Sequence, residues 1–173
     1  MSKQHVKFVT MQLKEVYFVV WILLTFAFLA YVTSLTTAHW RVTDSYFEGL
    51  FERCEYGEDG CRFLYFFDHH SAKEFDVARI LLLGACAFLI ISTFLSYGSL
   101  CFFKNVYLAI ILLNVLAFIL SLIGLSLYTH HHSNSSFKWS FGLSWAGCLS
   151  IGVVILLMCL GDFCYENNKS DPE

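Results

Sequence analysis

Charge is what this chain is short of. Asp, Glu, Lys and Arg together make up 14% of its 173 residues, against roughly 25% in soluble domains, while 57% are apolar. That leaves too little polar surface to coat a water-soluble core. Surplus positive charge is missing as well. A net charge of −3 offers no basic face to a phosphate backbone, so no nucleic-acid partner is expected. Proline occurs once and no Gly/Ser-rich run is present, so nothing marks a linker and 1–173 reads as a single domain. No nucleophile–base set, phosphate-binding loop or pair of intramembrane acids stands out, so the expectation is a non-enzyme without a cofactor.

What is abundant is uninterrupted apolar sequence. Four uncharged runs, 16–38, 80–103, 105–128 and 139–161, each exceed the ~20 residues that cross a bilayer core. Backbone groups there have no water to bond, so each run is expected to be a helix. The second and third are parted only by Lys104, yet one helix across both would far overshoot a membrane at about 1.5 Å per residue. Tyr97-Gly98-Ser99 supplies a turn, which gives spans at about 16–38, 80–97, 106–128 and 139–161. Lys3, Lys7 and Lys14 precede the first span and Lys104 occupies the short turn. Positive charge near span ends stays cytoplasmic, so both termini are expected inside, in a multi-pass plasma-membrane protein. The first apolar run is too long for a cleaved signal peptide and lacks a small-residue cleavage pattern.

The first outer loop, 39–77, then carries the polar chemistry. Cys54 and Cys61 close a short loop in an oxidising compartment and are expected to form a disulfide, worth about 2.5 kcal/mol in loop entropy. Aromatic and polar residues alternate around it, from Tyr46 and Phe47 through Phe63 to Phe67, which favours a small antiparallel sheet. Trp40 falls where an interfacial aromatic belt would lie. The second outer loop, 129–138, holds His130-His131-His132 and the sequon Asn134-Ser135-Ser136, making Asn134 the N-glycosylation candidate. The tail 162–173 is expected to be disordered and cytoplasmic.

Other candidate residues have plain alternatives. His69-His70 and His130 to His132 lack the spacing of structural zinc ligands, so solvated loop histidines are expected and no metal. Cys101 and Cys164 lie at cytoplasmic span ends and are palmitoylation candidates, against inert thiols. Cys86, Cys148 and Cys159 lie within spans as packing residues. Asn114 sits midway along the third span and is expected to hydrogen-bond a neighbouring helix. Gly142, Ala146 and Ser150 recur every fourth residue, a helix-packing stripe used either within the bundle or between copies, with the bundle preferred.

Trp40, the run Gly49-Leu50-Phe51-Glu52-Arg53-Cys54 with Cys61 beyond it, and Ala78-Arg79 opening the second span make a recognisable set. Leu127-Tyr128-Thr129 closes the third span and Phe137-Lys138-Trp139-Ser140-Phe141 leads into the fourth. The chain thus resembles the claudin, peripheral myelin protein and epithelial membrane protein superfamily. It looks closest to the branch holding the epithelial membrane proteins and the lens fibre membrane intrinsic protein. The resemblance implies an all-α membrane protein, a four-transmembrane-helix bundle with a small extracellular antiparallel β-sheet made mainly by the first outer loop. It marks Trp40, Gly49, Leu50, Phe51 and Arg79 as motif residues, with Phe51 standing where the family usually has Trp. Arg79 is expected to tie the sheet to the bundle rather than merely snorkel.

The functions implied are organisation of cell–cell contacts or membrane domains through the outer loop and lateral helix packing, or service as an auxiliary subunit of a channel, receptor or transporter. A paracellular tight-junction pore is the third, with Glu48, Glu52, Glu55, Glu58 and Asp59 selecting cations. The expected partners are membrane lipid and either further copies or a larger membrane protein. Junctional claudins typically end in an aliphatic residue that binds PDZ scaffolds; this chain ends Ser170-Asp171-Pro172-Glu173, so no PDZ scaffold is expected through the C-terminus.

Overall fold

The computed structural model describes the backbone of residues 3–57, 60–64, 73–101, 106–132 and 136–169. Four helices dominate: α1 (Lys3–Thr36), α2 (Lys73–Cys101), α3 (Tyr107–His131) and α4 (Trp139–Lys169). Each contains a stretch long and apolar enough to cross a membrane, Phe18–Thr36, Glu74–Gly98, Tyr107–His131 and Trp139–Gly161. The chain is therefore a multi-pass membrane protein. α2 packs chiefly on α3 and α1 on α4.

Between α1 and α2 lie β1 (Arg41–Val42), β2 (Tyr46–Glu48), β3 (Glu52–Glu55) and β4 (Cys61–Phe63), and β5 (Ser136–Phe137) follows α3. Together they form one five-stranded sheet in the order β4-β3-β2-β1-β5, antiparallel throughout. The strands are short; of the expected run from Phe63 to Phe67, Phe63 ends β4 and Leu64 N donates to Phe51 O at 2.7 Å, while 65–67 lie outside the described residues. Cys54 and Cys61 are paired in register across β3 and β4 and joined by the expected disulfide. At the far end of that hairpin Gly57 and Gly60 have φ of 94° and 137°, values that L side chains seldom adopt.

The helix boundaries differ from expectation at several points, beginning with α1, which starts at Lys3 rather than near 16. α2 begins at Lys73, ahead of the expected Ile80, because Glu74 and Asp76 in its first turn favour the positive end of a helix dipole. It also runs through Tyr97-Gly98-Ser99 to Cys101, so the segment expected to turn is helical, and 102–105 lie outside the described residues. α4 continues to Lys169, where 162–173 was expected to be disordered. No proline follows Gly161 until Pro172, and nothing obliges a helix to stop at the membrane surface.

The interior of the bundle is partly polar and its exterior apolar. Ser34, Ser92, Asn114, Ser121 and Ser144 are fully buried, while Phe94, Leu108, Leu149 and Leu156 are exposed. In a bilayer this is the stable arrangement, because lipid tails accept leucine as readily as a protein core does and polar groups must find partners. Asn114 Nδ2 donates to Ser92 Oγ on α2 at 2.7 Å and to Ile110 O at 2.9 Å, the expected interhelical bond. Tyr31 OH on α1 donates to Ser121 Oγ on α3 at 2.8 Å.

The small-residue stripe needs correction. Gly142 is exposed, and a Cβ built there would meet nothing within 4 Å. The residues of α4 packed inside are instead Ser140, Ser144, Cys148 and Ile151, with Gly147 against Tyr31 and the Ala27 carbonyl of α1. Ala146 and Ser150 are only half-buried beside them. Cys86 and Cys148 are buried packing residues as expected, whereas Cys159 is exposed.

Candidate functional site: the junction of sheet and bundle

Where the sheet meets the helices, the motif residues converge. α1 ends on Thr36, and four residues later Trp40 is fully buried. This corrects the belt assignment: its indole is the centre of the junction, while Trp139 is the exposed one. Burying an indole requires a partner for its N–H. Trp40 Nε1 donates to Ser34 O at 2.7 Å, and the ring packs edge-on to Tyr128 and Phe141 at 4.8 and 5.6 Å. Its backbone serves both neighbouring strands: Trp40 N donates to Glu48 O and Lys138 N donates to Trp40 O, each at 3.0 Å.

Beneath it, serine and threonine hydroxyls join α1 to α4. Ser34 Oγ donates to Ser140 O at 2.6 Å and lies 2.6 Å from Ser144 Oγ. Thr37 Oγ1 bonds the Ser140 hydroxyl. These hydroxyls reach across to the neighbouring helix and hold the two helices together.

The Gly49–Glu52 turn plugs into this base. Gly49 N donates to Glu52 O at 2.7 Å, closing the turn, and Leu50 is completely buried. A Cβ on Gly49 would lie 2.3 Å from Thr37 O and 2.7 Å from Ala38 Cα. Both are backbone atoms, so only glycine lets the turn sit this close to the end of α1. Phe51 stacks on Phe63 with centroids 6.4 Å apart. Arg79, 1% exposed, lies 3.2 Å from Asp76. Its guanidinium sits 3.9 Å from the Phe75 ring centroid and 6.0 Å from that of Phe51. Arg79 thus lies between Phe75 of α2 and Phe51 of the sheet turn.

Sequence reasoning missed two members of the junction. Glu48, assigned to a cation-selecting group, is 4% exposed. Its Oε1 pairs with Arg41 Nη2 at 3.0 Å and faces His132 Nε2 at 3.8 Å. His132, expected in a solvated loop, instead caps α3 and is buried against Tyr128 and Phe75. Loss of solvent, and next the nearby Arg41 charge, lower its pKa to about 4, so the imidazole is neutral near pH 7. His130 and His131 form the last turn of α3 rather than a loop. The signal available for Glu48 was its direct opposition to Arg41 once the strands were placed.

A second feature lies on the outside. Trp139, His39, Phe47 and Tyr56 form a column with successive centroids 6.0, 5.1 and 5.6 Å apart. It runs from the start of α4 towards the β3–β4 turn, and three of its four rings are exposed. Glu52 and Glu55 are also exposed. The other residues singled out from sequence fall elsewhere. Asn134, His69, His70, Glu58 and Asp59 lie outside the described residues. Cys101 and Cys164 are placed only as backbone, in α2 and α4. Among the described residues no group of three or more metal-ligating side chains comes together. No family model matches this chain, and no curated protein matches it.

Proposed function

We infer that the chain is a claudin-like membrane protein that organises cell–cell contact or membrane domains, presenting its stapled sheet outside the plasma membrane with both termini in the cytoplasm. The observation that carries this reading is the combination of a rigid base and an exposed aromatic surface. Trp40, Gly49, Leu50, Phe51 and Arg79, which the family resemblance singles out, meet at one junction. Above it stands the column Trp139–His39–Phe47–Tyr56. Clustered exposed aromatics mark contact surfaces, and a sheet fixed by buried bonds loses little freedom when it binds.

Lateral packing has a natural place on α4, where Gly142 faces away from the bundle and lets another helix approach closely. The cation-selecting pore is less well supported, because Glu48 is engaged by Arg41. The test is cell aggregation combined with purification in mild detergent. Expression should aggregate otherwise non-adherent cells and recover the chain bound to itself, with both effects reduced by Phe47→Ala plus Tyr56→Ala. Stoichiometric recovery of one large channel, receptor or transporter, without aggregation, would replace this reading with an auxiliary subunit. Tags at either terminus should be reached only after permeabilisation, and a tag at Gly57 on intact cells. A surface-exposed N-terminus would invert the topology.

A further inference from the structure

One face of the sheet carries an unbalanced pair of positive charges. Directly opposed residues in antiparallel strands share a face, so the registers give one row across all five strands: Phe137, Arg41, Glu48, Arg53, Arg62. The one acid in that row is turned away from β3, with Oε1 on Arg41 at 3.0 Å and His132 at 3.8 Å. Arg53 and Arg62 are then left opposite one another. Among the described residues neither has a carboxylate within salt-bridge distance. Like charges directly opposed destabilise a strand pair, and the arrangement persists although Glu48 opposes Arg53 from the other side.

The side chains are also set for a ligand. The Arg53 guanidinium lies flat enough on Tyr46 to bring its carbon 3.6 Å from the ring centroid, and its Nε is buried with no acceptor. Arg62 is exposed on the neighbouring strand. An arginine whose face is held by an aromatic ring keeps its N–H edges for an anion, and planar forks recognise oxyanions by paired hydrogen bonds. The geometry points to a binding site for a tetrahedral oxyanion, a sulfate or phosphate group, between Arg53 and Arg62, with Tyr46 as its positioning ring. Two guanidinium charges match a dianion, and a bound dianion removes the repulsion between the strands.

The test is thermal unfolding of the full chain in a neutral maltoside detergent, titrated with sodium sulfate while sodium chloride holds ionic strength constant. The wild type should show a rise in Tm that sets in near the dissociation constant and then grows with the logarithm of sulfate concentration, about 3–5 °C at ten times the dissociation constant. Arg53→Gln plus Arg62→Gln, and Arg62→Gln alone, should flatten it; Arg62→Lys should retain part, keeping the charge without the fork. Without sulfate, Arg62→Gln should unfold no earlier than wild type, because it relieves a repulsion. An equal sulfate response in wild type and Arg62→Gln would overturn the proposal, since sulfate also stabilises proteins by general exclusion from their surface. So would an early-melting Arg62→Gln in sulfate-free buffer, which would mean that its charge is already satisfied within the chain. Nanodiscs distinguish the source of the group. A sulfate response present in phosphatidylcholine discs and absent in phosphatidic acid discs identifies a lipid phosphate, and one present in both identifies a soluble or glycan-borne oxyanion.

Discussion

Replacing Gly49 by alanine tests the junction at its tightest point. The added Cβ would fall 2.3 Å from Thr37 O and 2.7 Å from Ala38 Cα. An ordinary close carbon–oxygen contact is about 3.3 Å, so the turn and the end of α1 must part by about 1 Å. Both atoms are backbone, and no rotamer change can absorb the movement. Overpacking of this kind costs about 1–3 kcal/mol, and the fixed backbones on both sides place this site at the upper end. The reduced entropy of an unfolded alanine returns only about 0.4–1 kcal/mol. Displacement also loosens buried Leu50 and the Gly49 N to Glu52 O bond of 2.7 Å. A net loss of about 2–3 kcal/mol lowers Tm by roughly 6–10 °C in a chain of this size. Thermal unfolding in detergent, followed by circular dichroism, reads it directly. Gly142→Ala is the control, since its Cβ meets nothing within 4 Å and should leave Tm unchanged or raise it through better helix propensity. If both variants melt alike, the close approach of turn to helix is not what holds the sheet.

His132 should make stability depend on acid. Its folded pKa is lowered to about 4 by loss of solvent and by Arg41, so below about pH 6.5 the unfolded chain binds a proton that the folded chain refuses. Stability is full above about 6.5 and falls as pH drops towards about 4, by up to about 3 kcal/mol; His132→Phe should remove this slope, so that the wild-type-minus-variant difference shrinks as pH falls, and a parallel pair of curves would refute the assignment. Trp40→Phe keeps most of the packing but loses the 2.7 Å bond to Ser34 O, so it should cost about 1 kcal/mol in chemical or thermal unfolding, against 3–5 kcal/mol for Trp40→Ala. Cys54→Ser should melt about 2–3 kcal/mol less stably and match the double Cys54→Ser, Cys61→Ser variant, with helix content by circular dichroism unchanged. Asn114→Leu should cost only about 0.6 kcal/mol despite complete burial, and a loss above 3 kcal/mol would mean that Asn114 holds more than Ser92 and Ile110.

The parts of this fold that were legible in the sequence are those set by solvent and by covalent reach. An apolar run of span length can only be a helix in a bilayer, and Cys54 and Cys61 are too close along the chain to miss each other outside it. What stayed hidden was which side of each helix faces inward. In water, the buried stripe is the apolar one and its period reveals it. In lipid, Leu122 and Leu125 look alike, yet Leu122 is exposed and Leu125 fully buried. The readable mark was the reverse of the usual one: Asn114, Ser121, Gly124 and Tyr128 trace the inner face of α3. The same inversion explains the charged residues. Asp76 and Arg79 halted the expected second span at Ile80, because single charges are costly in a membrane. As a pair at i and i+3 within 3.2 Å, with Arg79 stacked on Phe75, they belong inside the helix. Trp40 was misplaced for a related reason, since only the position of Ser34 O shows that an indole can be buried there with its N–H satisfied. Each error came from treating a polar group singly. Its partner lay three or six residues away, and in a membrane protein the partner determines where the group goes.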